Sequence, residues 1–172
     1  GVTPATAATD RALRIVSPLA ALTVDTEDPD RSGVAHTVTF ADPVIGNGRL
    51  VKKGAGTLVL DSSENAIANG VKVSGGALRV SKAQTFSSLA VKNAKLDLVA
   101  GEVVHVSREA DLAAATLSVQ GLQEGASWQT VLTVDPGAKV TGLPQVSSGI
   151  KVRMVENALQ AKPVSGLMLL VR

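Results

Sequence analysis

The sequence predicts an all-β protein, wound as a parallel β-helix (a β-solenoid) and closed at its C-terminal end by a β-rich cap. Three observations carry the prediction. Leu58, Leu78, Leu96 and Leu117 recur at steps of 20, 18 and 21 residues, each inside the same small-x-Leu-x-apolar pattern. Around them apolar and polar residues alternate with period two, the signature of a strand buried on one face. The 172-residue chain is also 45% hydrophobic yet only 2% aromatic. That composition suits a narrow interior that Leu, Val, Ile and Ala fill and rings do not.

Taken in order, residues 1–10 are rich in Thr and Ala and read as a lead-in. With Gly1 in place of an initiator Met, the chain is expected to be a fragment or mature section of a longer protein. Residues 12–16 and 19–24 are the first apolar runs. Asp25-Thr26-Glu27-Asp28-Pro29-Asp30 is expected as a solvated acidic loop, because Pro29 interrupts a strand. It lacks the spacing of oxygen ligands that a calcium loop needs. The repeat proper runs over 46–119. Gly56-Thr57-Leu58-Val59-Leu60 recurs as Gly76-Ala77-Leu78-Arg79-Val80, Ala94-Lys95-Leu96-Asp97-Leu98 and Ala115-Thr116-Leu117-Ser118-Val119. A second column, Leu50, Val71 and Leu89, precedes the first three. Turn signals separate the strands: Lys53-Gly54-Ala55-Gly56, Ala68-Asn69-Gly70 and Ser74-Gly75-Gly76.

Strands this short, with glycine corners and no helix between them, cannot build βαβ units. A sandwich or barrel would space its strands at about 8–12 residues. A period near twenty, with equivalent strands recurring at every second segment, selects the solenoid. Residues 107–115 carry the pattern of an N-capped helical turn or two, against a loop with a short strand at Asp111-Leu112. After Val119 the period breaks. Residues 128–134, 150–155 and 166–171 read as strands, and residues 120–172 as a cap that covers the open edge of the last turn. The chain therefore divides into solenoid turns over 1–119 and a cap over 120–172, within one domain.

The run Gly46-Asn47-Gly48-Arg49-Leu50-Val51-Lys52-Lys53-Gly54-Ala55-Gly56-Thr57-Leu58-Val59-Leu60 resembles the autotransporter-associated β-strand repeat, G-x-G-x-L-x-K-x-G-x-G-T-L-x-L. Its continuation, V-x-x-G-x-L-x-V, is matched by Val73-Ser74-Gly75-Gly76-Ala77-Leu78-Arg79-Val80. Where the repeat carries N-T-Y, this chain has Asn65-Ala66-Ile67. The resemblance implies a right-handed parallel β-helix, the hand that parallel crossovers also favour. It further implies a secreted or surface-exposed bacterial protein with a signal peptide on the full-length chain. The repeat is a scaffold and brings no catalytic residues and no cofactor.

Chemistry is sparse. Without Cys there is neither a disulfide nor a Cys-ligated metal site. No apolar run reaches the ~18 residues of a membrane span. Glycoside hydrolysis needs two carboxylates about 5–10 Å apart. The outward columns beside the central leucines are Val59, Arg79, Asp97, Ser118 and Thr57, Ala77, Lys95, Thr116, and neither holds two acids. Asp97 beside Arg79 reads as an exposed ion pair. His36 and His105 accompany no nucleophile elbow and no zinc spacing, and read as strand-face residues. Trp128 reads as an anchor of the cap rather than a sugar platform.

Charge is the one uneven feature. Arg49, Lys52, Lys53, Lys72, Arg79, Lys82, Lys92 and Lys95 stand against only Asp61 and Glu64, so residues 49–95 carry +6 in a chain of +2 overall. Such a stretch is either a face for an acidic glycan or cell-surface polymer, or a means of keeping a repetitive β surface soluble. Nucleic acid is not indicated, since stacking aromatics are missing. The sequence thus favours a non-catalytic scaffold module of a larger surface protein. An adhesin-like module and an ancillary domain of a carbohydrate-active enzyme are the alternatives.

Overall fold

Each short strand leaves its backbone N–H and C=O groups to be satisfied elsewhere, and the chain satisfies them one repeat away. The structure, a computed structural model, describes residues 6–9, 12–28 and 31–164. Among these residues there is no helix, and the protein is all-β. After β1 (Thr6–Thr9) come β2 (Leu13–Ile15) and β3 (Ala21–Asp25), then a small insertion of β4 (Glu27–Asp28) and β5 (Arg31–Ala35), then β6 (Thr37–Phe40). Two units of three strands follow: β7 (Val44–Gly46), β8 (Arg49–Lys53), β9 (Thr57–Leu60), and β10 (Ala66–Ile67), β11 (Val71–Val73), β12 (Ala77–Val80). The next two units are long bent strands, β13 (Gln84–Val99) and β14 (Val104–Gln120). The last comprises β15 (Gln129–Val134), β16 (Lys139–Thr141) and β17 (Gln145–Val146), followed by the hairpin β18 (Ile150–Val155) and β19 (Ala158–Pro163).

Pairing joins strands of equal place in successive units. β6, β9, β12, β13 and β14 are parallel neighbours in which Val38, Leu58, Leu78, Leu96 and Leu117 are register partners. A second parallel series aligns Leu22, Leu50, Val71, Leu89, Ala110 and Val140. A third places β7 between β2 and β10. The period read from the leucines is therefore a register between parallel strands, and the aligned side chains, apart from exposed Val140, form or pack against one continuous buried cluster. Only at the C-terminal end does the large sheet become mixed: β19 runs antiparallel to both β15 and β18.

Two polar features sit inside this apolar stack. At the corner after β9, buried Asn65 accepts the Val44 N–H at 2.7 Å and donates to Ser62 O at 2.7 Å and Gln84 Oε1 at 3.0 Å. Amide side chains thus satisfy corner groups that no ladder reaches, while Ile67 turns inward. The second is Lys52. Parity with Leu50 points it inward, in register between Val24 and Val73. Its side chain is fully buried, and its Nζ donates to Gly54 O at 2.5 Å and Gly75 O at 2.8 Å. Gly76, at φ +60°, closes the same corner. A Cβ there would fall within 3.0 Å of Gly56 O, Gly54 O and the Lys52 amine, so only glycine fits.

Several expectations need correction. Residues 107–115 are neither helix nor loop but the middle of β14. Glu109, Ala110 and Asp111 pair with Ser88, Leu89 and Ala90, because burying Ala110, Leu112 and Ala115 in the stack outweighs weak helix propensity. Both long strands turn corners by bulges rather than glycine turns, with Asn93 at φ 50°. The acidic segment is not wholly a loop: Asp25 ends β3, and Glu27 and Asp28 pair antiparallel with β5. The strand expected at 166–171 lies outside the described residues.

Candidate functional site

Strand parity and register decide which cations share a surface. Arg49, Lys53, Lys72 and Lys92 lie on the outward side of the β3–β8–β11–β13–β14 series and are exposed. Arg79 and Lys95 belong to the other long series, outward from Leu78 and Leu96. Lys82 is exposed in the turn after β12. Lys52 is inside and out of reach of any ligand, since i and i+2 of a strand share a face and Leu50 is core. The stretch of eight is thus split by the fold into one group of four, two cations on another face, one at a corner and one in the interior.

The group of four is enlarged by residues from later in the chain. Arg108 and Lys139 join Arg49, Asn69, Ser88 and Glu109 around a cleft of about 430 Å³. Arg108 donates to Ala68 O at 3.1 Å, and Arg49 Nε donates to Asn69 O at 3.2 Å. The same face carries two acids. Glu109 and Asp111 stand two residues apart on β14, both outward, and both line a smaller cleft of about 250 Å³ with Arg49, Lys72 and Lys92. Sequence reasoning missed this pair because a helix would have placed the two on different sides. Each is held by a cation: Glu109 by Lys139 at 3.1 Å, and Asp111 by Lys92 at 3.4 Å.

Beside them the balance tips toward the cations. A cleft of about 470 Å³ between β3, β8, β11 and the 16–20 turn is lined by Arg49, Lys53 and Lys72 and contains no carboxylate. These three cations form no ion pair among the described residues.

Asp97 and His105 are knitted into the ladders. Asp97 is not the exposed partner the sequence suggests; it is 3% exposed. Arg79 Nε at 2.8 Å, Ser118 Oγ at 2.5 Å and Gln120 Nε2 at 2.7 Å all donate to it. It thereby ties three successive strands together from outside, with its charge fully used. His105 Nδ1 lies 2.9 Å from Thr133 Oγ1, and its Nε2 lies 3.0 Å from Asp135 Oδ1. That trio has the order of a hydroxyl–imidazole–carboxylate relay, but it spans register partners on an open strand face and lines none of the clefts above. It clasps β15 to β14. Trp128 lies under Arg153 and Lys162, 4.3 and 4.9 Å from its ring centroid, and joins the region before β15 to the terminal hairpin. No cluster of three or more metal-ligating side chains occurs among the described residues.

Comparison with known proteins gives one finding. Over 91 residues, or 52% of this chain, the sequence is 36% identical to the Adhesin BmaC autotransporter of Brucella suis biovar 1 (strain 1330). The chain spans about 2% of that protein's length. The similarity supports an autotransporter-related origin. No protein-family model matches the chain. No solved structure matches it.

Proposed function

We propose that the chain is a non-catalytic structural section of a larger secreted or surface-exposed bacterial protein, coiled as a right-handed parallel β-helix. In this reading residues 1–119 are turns of the coil, and 120–172 cap it within the same domain. The observation that carries it is the in-register column of Leu58, Leu78, Leu96 and Leu117 between parallel strands. Support comes from the similarity to a protein named as an autotransporter adhesin, and from the pairing of Asp97, Glu109 and Asp111 each with a cation.

Equivalent layers make one layer dispensable. Val80 is the register partner of Leu60, so excising residues 62–81 removes a single step and leaves β13 facing β9. The shortened chain is expected to keep a β-type circular dichroism spectrum and a cooperative melt at lower temperature. The larger surface protein carrying the excision should still reach the cell surface. An unfolded deletion product would overturn the coil.

A second reading is favoured by the cleft of three unpaired cations: an adhesin-like role in which this face holds an acidic glycan. Retention on immobilised heparin should then fall steeply with salt. Substituting Arg49, Lys53 and Lys72 together by Gln should move elution to lower salt, while substituting Lys82 and Lys95 should not. Equal shifts from both sets would mean net charge rather than a site.

A further inference from the structure

The 16–20 turn joins β2 to β3, and all five of its residues are exposed. Two of them are the most exposed large apolar side chains described, Val16 at 82% and Leu19 at 96%. The turn is held in shape from within and from beside. Ala20 N–H donates to Ser17 O at 3.0 Å, Leu19 N–H to Ser17 Oγ at 3.3 Å, and Asn69 Nδ2 reaches across to Pro18 O at 2.7 Å. Asn69 O in turn accepts from Arg49 Nε, so the turn and the first cation of the adjoining cleft are positioned by one amide residue. Leu19 and Pro18 form one wall of that cleft, and Arg49, Lys53 and Lys72 stand in its lining with Ala21, Thr23 and Val51.

We propose that this turn and its three cations form a docking surface for a lipid surface bearing acidic headgroups. The juxtaposition is what such a surface selects: aliphatic side chains to enter the acyl boundary, with cations beside them at headgroup level. Scattered single apolar residues on a protein surface mean nothing. Here the two most exposed ones share a single braced turn, and Arg49, Lys53 and Lys72 at its foot form no ion pair among the described residues, with Asp25 in register beside Lys53 and Glu109 and Asp111 beside Arg49 and Lys72. An extended peptide is a poorer occupant, because β8 is already paired on both edges and offers no free ladder. A sugar chain is a poorer one too, since no aromatic ring lines the cleft and Leu19 gives it nothing to hydrogen-bond. This proposal competes with the acidic-glycan reading for the same three cations.

The test is flotation of the 172-residue chain with vesicles of phosphatidylcholine alone and of phosphatidylcholine mixed with phosphatidylglycerol, at low and at moderate salt. The chain should float with the acidic vesicles and not with the neutral ones, and less as salt rises. Val16→Ser with Leu19→Ser, which leaves every charge in place, should weaken flotation by about tenfold. Arg49→Gln, Lys53→Gln and Lys72→Gln together should abolish it. All five side chains are exposed, so the melting temperatures of the variants should match the parent. Equal flotation with both vesicle types, or undiminished flotation of the double serine variant, would overturn the proposal. Retention on heparin without flotation would overturn it as well, leaving the glycan reading in place.

Discussion

Leu96→Ala should destabilise the protein by about 3–5 kcal/mol, the range for truncating a fully buried leucine that leaves a cavity. Leu96 has no exposed surface and sits in register between Leu78 and Leu117. Its removal therefore opens a gap with apolar neighbours above and below, and parallel strands locked by their ladders cannot slide to fill it. Against a total stability of roughly 5–15 kcal/mol this is a large fraction, equivalent to a fall in melting temperature on the order of 10 °C. Chemical denaturation at neutral pH would measure it. Leu143→Ala, at a half-exposed site in the turn after β16, is the matched control and should cost less than about 1 kcal/mol. Equal effects at the two positions would show that Leu96 is not part of a packed column.

Lys52 provides the second large effect. Burial pulls its pKa from 10.5 down to about 8, with the nearby Asp25 charge opposing the shift. Holding the amine protonated inside the stack costs the folded state, while the unfolded chain pays nothing. Between about pH 8 and 10.5 the unfolded state binds more protons than the folded state, so stability must rise with pH across that window. The rise attributable to this one residue is about 3 kcal/mol, the shift converted at about 1.4 kcal/mol per pH unit. In Lys52→Met this contribution to the slope should vanish, whatever the variant's stability at pH 7. Urea titrations of both proteins at pH 7.5 and 10 would read the difference, and parallel pH profiles would refute it.

The same lysine shows how far the sequence could be read. Leu50 was recognised as core, and a strand repeats its facing every two residues, so Lys52 had to turn inward; counting charge along the chain instead of by face hid this. The leucine period translated directly into register because it reflects a spacing the backbone must keep, and Gly54, Gly56 and Gly76 fall where the turns require them. The 107–115 segment was illegible for the opposite reason. Its Ser-Arg-Glu-Ala-Asp-Leu pattern is locally compatible with a helix, and only the neighbouring strand, absent from any local window, makes it a ladder. That one misreading also concealed the adjacent outward carboxylates of Glu109 and Asp111. Arg108 and Lys139 were missed as members of the basic face because they are distant in sequence and adjacent only through β14 and its pairings. Asp97 looked like a surface residue by parity, which is right about its direction. Its burial comes from three side chains of neighbouring strands closing over it.

The parallel ladders have a mechanical corollary. Their strands lie across the direction in which the units succeed one another, so a pull applied at the two chain ends loads each rung's hydrogen bonds head-on. Rungs then part in sequence from the ends, not all at once in shear. A stack built this way yields by small, repeatable increments and dissipates a tug gradually.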